Sequence, residues 1–449
     1  MKNPSLSEQS IPERIIQQLL SAAKSFTLEA SLDILIEASK STEGRSDLAS
    51  QNILPSVLEL IQRLIDTSSG ALLLSSLKLL RNLCAGEIRN QNVFIEQSGV
   101  GVVSSILQYA MLMCDPDIVI IRLGLQVLAN VSLAGEEHQQ AIWRELFPDN
   151  FVLLARIRYF GFGEDWVKLL LSRICLEEPY FPLLFSKLCP VDNSKDGEKV
   201  ESEDVSFSSE QAFLLTIISE ILNERIGDIT VPNDFASCVF RIFQSSLSII
   251  DFTPICKCSL PTGTTAVDVL GYSLAILRDI CAQDGRHKDI SEDAVDVLLS
   301  LGLLDLLLGL LRNVEPPAMI KKALQQAENE DRSSRPNSLK RCPYKGFRRD
   351  IVAVIANCSY RRKHVQDDIR KKNGVFVLLQ QCVADENNPF LREWGIWAMR
   401  NLLEGNLENQ KLVAELEVQG SVDVPEIAEL GLQIEVDPKT RRAKLVNAS

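Results

Sequence analysis

Histidine is nearly missing from this chain: three in 449 residues, His138, His287 and His364, far apart in sequence and never in an HExxH arrangement. No glycine is followed by lysine, which excludes a phosphate-binding P-loop, and no nucleophile elbow is present. Aromatics make up 6% of residues, and no strand alternation or regular βα rhythm runs along the chain. The first ten residues are polar and lack a signal pattern. Long apolar runs are also wanting. Val297 to Leu311 is the most apolar stretch, but it stops short of the roughly twenty residues a bilayer requires and contains Asp305, so it reads as one buried helix. Cysteine is plentiful, at eleven, yet the count is odd and Cys256–Cys258 has no second pair at zinc spacing. Together these absences argue against an enzyme, a resident metal or cofactor, and a disulfide framework. They point to a reducing, intracellular home, the cytoplasm.

What is present is helix, repeated. From Leu391 onward, Leu391, Trp394, Ile396, Trp397, Met399, Leu402 and Leu403 recur at spacings of three and four, predicting one broad buried face. Gly405-Asn406 closes this helix, since both residues tolerate the left-handed cap conformation. Its core, Arg400-Asn401-Leu402, has relatives at Arg81-Asn82-Leu83, Ala129-Asn130-Val131 and Ala356-Asn357-Cys358. In all four a glutamine stands nine residues after the asparagine (Gln91, Gln139, Gln366, Gln410) and an apolar residue twelve after it (Phe94, Ile142, Ile369, Val413). Weaker copies place Arg173, Glu220 and Asp279 at the asparagine position, and a faint one lies near Ile36 or Glu37.

Successive spacings from Asn82 are 48, 43, 47, 59, 78 and 44 residues. A helical period in the forties predicts an all-α, right-handed α-solenoid of armadillo or HEAT type, with each unit hiding its apolar side against the next. Cys84, Cys175 and Cys281 share one phase, two after the register position, and are expected in the core as small hydrophobes. Ser10 and Glu13 form a capping box for a first helix, and Phe160 to Gly163 is a loop rather than a dinucleotide motif, since Trp166 occupies the third glycine's place. The chain thus divides into N-terminal repeats over 1–190, a charged loop over 191–206, middle repeats over 207–315, a proline-rich basic insertion over 316–343 and a C-terminal domain over 344–449. Alternation in Leu432 to Val436 and Ala443 to Val446, about Asp437-Pro438, permits a short hairpin.

Charge is uneven. Between Arg332 and Lys372 stand thirteen Lys or Arg against three Asp, in a chain of net charge −13. This segment is either a basic loop with the wet faces of two helices, or a docking site for an acidic partner, RNA or anionic lipid, with Arg348, Arg349, Arg361 and Arg362 as its candidates. The acidic remainder argues against nucleic acid as the main ligand.

Residues from Tyr344 onward, about a quarter of the chain, resemble the C-terminal domain of the ataxin-10 family. The resemblance rests on Gly346-Phe347, Asn357 with Tyr360, Asn388-Pro389-Phe390-Leu391, Glu393-Trp394, Arg400-Asn401-Leu402, Asn409-Gln410 and Gln419-Gly420. It implies a cytoplasmic, non-catalytic armadillo protein that binds other proteins and is associated with cytokinesis, cell division and signalling. It carries no partner motif that transfers residue by residue.

Two readings stand for Asn82, Asn130, Asn357 and Asn401: ligand-binding amides on a concave face, or ties between repeats. Trp397, four before Asn401, resembles the Trp/Asn pairing of nuclear-import adaptors, the alternative function. Its equivalents Lys78, Gln126 and Ala353 break that array, and core is the expected place for both Trp394 and Trp397. Protein partners and self-association are the expected interactions.

Overall fold

The computed structural model describes residues 26–65, 70–113, 116–147, 149–159, 161, 164–177, 179–190, 206–225, 227–252, 258–283, 293–322, 339–416, 432–436 and 443–447. The capping box at Ser10 and the charged loop lie outside these residues, as does most of the proline-rich insertion. The chain forms two compact units, one of residues 1–250 and 261–298, the other of residues 251–260 and 299–449.

In the first unit, six helices carry the register position or its faint copy, or lead directly into it: Phe26–Ala38, Gly70–Leu83, Ile118–Ser132, Glu164–Ser172 (register residue Arg173 just beyond it), Ser209–Glu224 and Thr265–Ala282. Each packs on the next in that order. Helix pairs such as Ile88–Glu96 with Gly99–Leu112, and Glu136–Leu146 with Phe151–Tyr159, make the return path, so these two layers have three helices, whereas the layer begun by Ser209–Glu224 returns through Asn233–Ile249 among the described residues. Glu164–Ser172 runs on as a π-helical turn, Arg173–Glu177.

The period survives because the local signals agree with it. Asp117 caps Ile118–Ser132 by accepting the Val119 and Ile120 amides, each at 3.0 Å. Ser208 and Gln211 cap each other reciprocally at the start of Ser209–Glu224. Leu77, Leu125 and Leu215, each five residues before the register position, are fully buried. Cys84, Cys175 and Cys281 are buried as expected, and burial pushes the Cys84 and Cys175 thiols well above the ordinary range.

The second unit repeats the plan with Leu303–Asn313, Phe347–Ser359, Lys363–Lys371, Gly374–Leu379, Leu391–Leu403 and Leu407–Ala414. Phe347–Ser359 and Leu391–Leu403 pack side by side as the register helices. The hairpin is present, pairing Leu432–Val436 antiparallel with Ala443–Asn447, Ile434 opposite Leu445.

Two local expectations need correcting. The apolar stretch 297–311 is not one helix, since Ala294–Ser300 ends before Leu303–Asn313 begins, with Gly302 at φ +93° between them. Among the described residues no single helix is long and apolar enough to cross a membrane. Of the Gly405-Asn406 pair, only Gly405 (φ +68°) is left-handed. Asn406 has φ −117° and instead caps the following helix, accepting the Asn409 amide at 3.1 Å. The expected loop from Pro336 to Pro343 is paired at its described end: Lys340 donates to the Asn313 carbonyl and accepts from the Glu315 amide at 2.9 and 2.8 Å.

Candidate functional site

A register helix ends with carbonyls that lack partners within it. The asparagine of the following layer meets a carbonyl of this last turn, which at Ala356 also accepts from Ser359 Oγ at 2.9 Å. Asn130 Nδ2 donates to the Arg81 carbonyl at 3.1 Å, and Asn401 Nδ2 to the Ala356 carbonyl at 2.9 Å, in each case the residue just before the previous layer's register position. Asn82 Nδ2 reaches Ser39 Oγ at 3.0 Å, just past the Phe26–Ala38 helix.

The glutamine nine residues on completes the ladder. Gln91 Nε2 is shared between the carbonyl of Cys84 in its own layer (2.9 Å) and that of Asn130 in the next (3.0 Å). Gln366 Nε2 bonds the Asn401 carbonyl at 2.8 Å, while Gln139 and Gln410 bond the Ser132 and Leu403 carbonyls at 3.1 and 2.8 Å. A second amide row, eight after the register, is not among the sequence-based expectations, although its spacing is there to find. Asn90 and Asn409 each donate at 2.9 Å to the carbonyls of Leu83 and Leu402.

These amides tie layers together. Asn82 and Asn401 are buried, and Asn130 and Asn357 are half-buried at the same position. Where the register residue is Glu220, the tie is ionic: Lys168 reaches across from the preceding layer to Glu220 and Glu224 while also holding Glu164. Asn401→Ala should therefore cost about 0.5–1.5 kcal/mol, the worth of one hydrogen bond, since Ser359 Oγ still donates to the Ala356 carbonyl at 2.9 Å. A lower urea midpoint at unchanged slope would show it.

The basic segment separates into structural and surface residues. Arg348, a docking candidate by sequence, is 1% exposed and so no surface residue. Its Nη1 donates to Gln381 Oε1 at 3.0 Å, and its Nη2 to the Val314 carbonyl at 2.9 Å and to the Glu315 carbonyl. Val314 is the C-cap of Leu303–Asn313, so the guanidinium sits where helix carbonyls and their dipole favour a cation. Arg349 is half-buried against Asp350, and Lys372 pairs with Asp305 and Asp368. Arg370 contacts Asp367, Asn406 and Asn409.

The surface remainder is the turn between Phe347–Ser359 and Lys363–Lys371. Arg361 and Lys363 are exposed, Arg362 is half-buried as the N-cap residue, and the Arg361 guanidinium lies 4.9 Å from the Tyr360 ring centroid. Arg361 has φ +55°, four residues after the register position, where the equivalent turns use Gly86 (φ +69°) and Gly405 (φ +68°). A side chain held there costs on the order of 1 kcal/mol. Trp397 corrects another expectation. It is not core but 49% exposed, with the Arg400 guanidinium 4.7 Å over its ring. No described helix lies on its outer side.

Layers of two or three helices, joined through their register helices by a phased amide ladder, define an armadillo-repeat protein. Residues 347–446 match the spinocerebellar ataxia type 10 protein domain. The chain is 25% identical to Ataxin-10 of Bos taurus over 405 residues, which is 82% of this chain and 81% of that one. It is 40% identical over 92 residues to the Ataxin-10 homolog of Dictyostelium discoideum, 20% of this chain and 15% of that protein. Among solved structures, it is similar to an engineered protein (12% identity, TM-score 0.38, covering 86% of this chain and 77% of that one). A designed armadillo repeat protein is similar at 13% identity and TM-score 0.28, covering 78% and 99%. The ataxin-10-type domain thus occupies residues 347–446, and the similarity to ataxin-10 extends over 82% of the chain at 25% identity.

Proposed function

We propose that this chain is a non-catalytic scaffold that binds protein partners in the cytoplasm, with the Arg361–Lys363 turn as a principal contact for an acidic segment. The observation that carries this reading is Arg361 itself. A charged side chain occupies a left-handed position that two sister turns give to glycine, and it projects next to two further cations. Backbone strain at an exposed cation is the signature of a residue retained for what it touches. The amide ladder supports the same division of labour: because asparagines are consumed in joining layers, a continuous peptide track along them is not the mode of binding. The family relationship supports a role in cytokinesis, cell division or signalling.

The test is charge reversal at Arg361, Arg362 and Lys363 together. Partners recovered by the unaltered protein at low salt should bind at least tenfold more weakly, and the salt dependence of binding should flatten. An unchanged partner set with an unchanged salt slope overturns the assignment. Titration with a lysine-rich peptide separates this reading from an import adaptor, which would bind that peptide tightly.

A further inference from the structure

The last register helix, Leu391–Leu403, exposes residues whose counterparts lie inside the stack. Five residues before the register position, Leu77, Leu125, Leu215 and Val352 are all 0% exposed, whereas Ile396 at that place is 55% exposed. Trp397, whose counterpart Ala353 is also buried, is 49% exposed. An apolar face at the end of a repeat stack invites association.

The chemistry along this face says with what. Glu393, Ile396, Trp397 and Arg400 stand at i, i+3, i+4 and i+7, so they share one side of the helix, and all four are exposed. The order is acid, two apolar residues, base. A two-fold axis midway between Ile396 and Trp397 runs two such helices antiparallel. It sets Ile396 against Trp397 of the second copy and Glu393 against its Arg400, and the reverse pairs form at the other end, as an isologous contact requires. A parallel pairing opposes each charge to itself. A foreign helix of one charge sign satisfies one end of the face and repels the other. The contacts these side chains make within the chain are loose ones: Glu393 meets Arg392 at 3.7 Å, and the Arg400 guanidinium rests on the Trp397 ring. Phe390, 68% exposed one turn before Glu393, adds apolar area at the rim.

We infer that this face joins two copies of the chain in an antiparallel, two-fold pair of Leu391–Leu403 helices. The apolar residues form the centre of the contact, and the two Glu393–Arg400 pairs fix its direction. A thirteen-residue helix is only about 20 Å long. One helix per copy buries less than the roughly 1,200 Å² of a permanent interface, so the dimer forms and dissociates with concentration.

Sedimentation of the full chain over a dilution series tests this. The unaltered protein should pass reversibly from dimer to monomer, and a chain that stays monomeric up to about 100 μM overturns the proposal. Ile396→Asp with Trp397→Asp should weaken dimerisation at least tenfold at an unchanged melting temperature of the monomer, because both side chains face solvent there. Glu393→Arg and Arg400→Glu should each weaken it at least tenfold, since either one opposes like charges twice in a two-fold pair. Combined in one chain, they should dimerise more tightly than either alone, because the order of acid and base is then only reversed. Losses that add in the combined variant overturn the two-fold pairing. So does a dimer indifferent to all four positions, or an assembly of more than two chains.

Discussion

Arg348→Ala should destabilise the second unit by about 3–5 kcal/mol, the largest single-residue effect expected in this chain. Truncation removes the donor from three acceptors at once, Gln381 Oε1 and the Val314 and Glu315 carbonyls. Each orphaned buried group costs about 1–3 kcal/mol. Lysine does not rescue the site, because an ammonium is a point donor whereas the guanidinium fork reaches acceptors on two elements. Burial lowers the Arg348 pKa, yet no accessible pH discharges an arginine, so the loss should be nearly independent of pH. Urea unfolding of Arg348→Ala and Arg348→Lys measures it. A cost under about 1 kcal/mol in both variants would mean that water replaces the guanidinium at no penalty.

Gly395→Ala is the second large effect, with a cost of about 1–3 kcal/mol from overpacking. A Cβ at Gly395 would lie 2.7 Å from the Gln381 carbonyl carbon and oxygen and 2.9 Å from the Cys382 nitrogen. These are backbone atoms, so helix Leu391–Leu403 must shift away from the turn that follows Gly374–Leu379. Gly309 supplies the contrast within the same unit. It is helical, a Cβ there would meet nothing within 4 Å, and Gly309→Ala should stabilise by about 0.5–1 kcal/mol. Opposite shifts in melting temperature for the two alanines would confirm that close approach, not helix propensity, governs Gly395. Valine at 395 should be worse than alanine, since a branched side chain adds volume where none is available.

The asparagine and glutamine positions show how far linear reasoning extends. Their phase was legible because a layer repeats, and any residue that joins layers must recur with them. Whether Asn130 faced a ligand or the Arg81 carbonyl was not legible, since an amide suits either and only the neighbouring layer supplies the acceptor. The same limit explains the basic segment. Thirteen cations within forty-one residues is a fact of composition, but composition does not separate Arg348, enclosed by carbonyls, from Arg361, held in solvent by a left-handed turn.

Trp397 departs from expectation in the opposite direction. Apolar periodicity marks a face that some neighbour should cover. The helices bearing Leu77, Leu125 and Val352 have that neighbour in the next register helix, whereas the described residues hold none beyond Leu391–Leu403. The order of residues alone thus determined the all-α repeat, its phase, its buried cysteines and its terminal hairpin, because these depend on spacings of a few residues or a recurring layer. Which cations are buried, which aromatic meets solvent and which amides bridge layers were decided only in three dimensions, where groups more than thirty residues apart in sequence become hydrogen-bond partners.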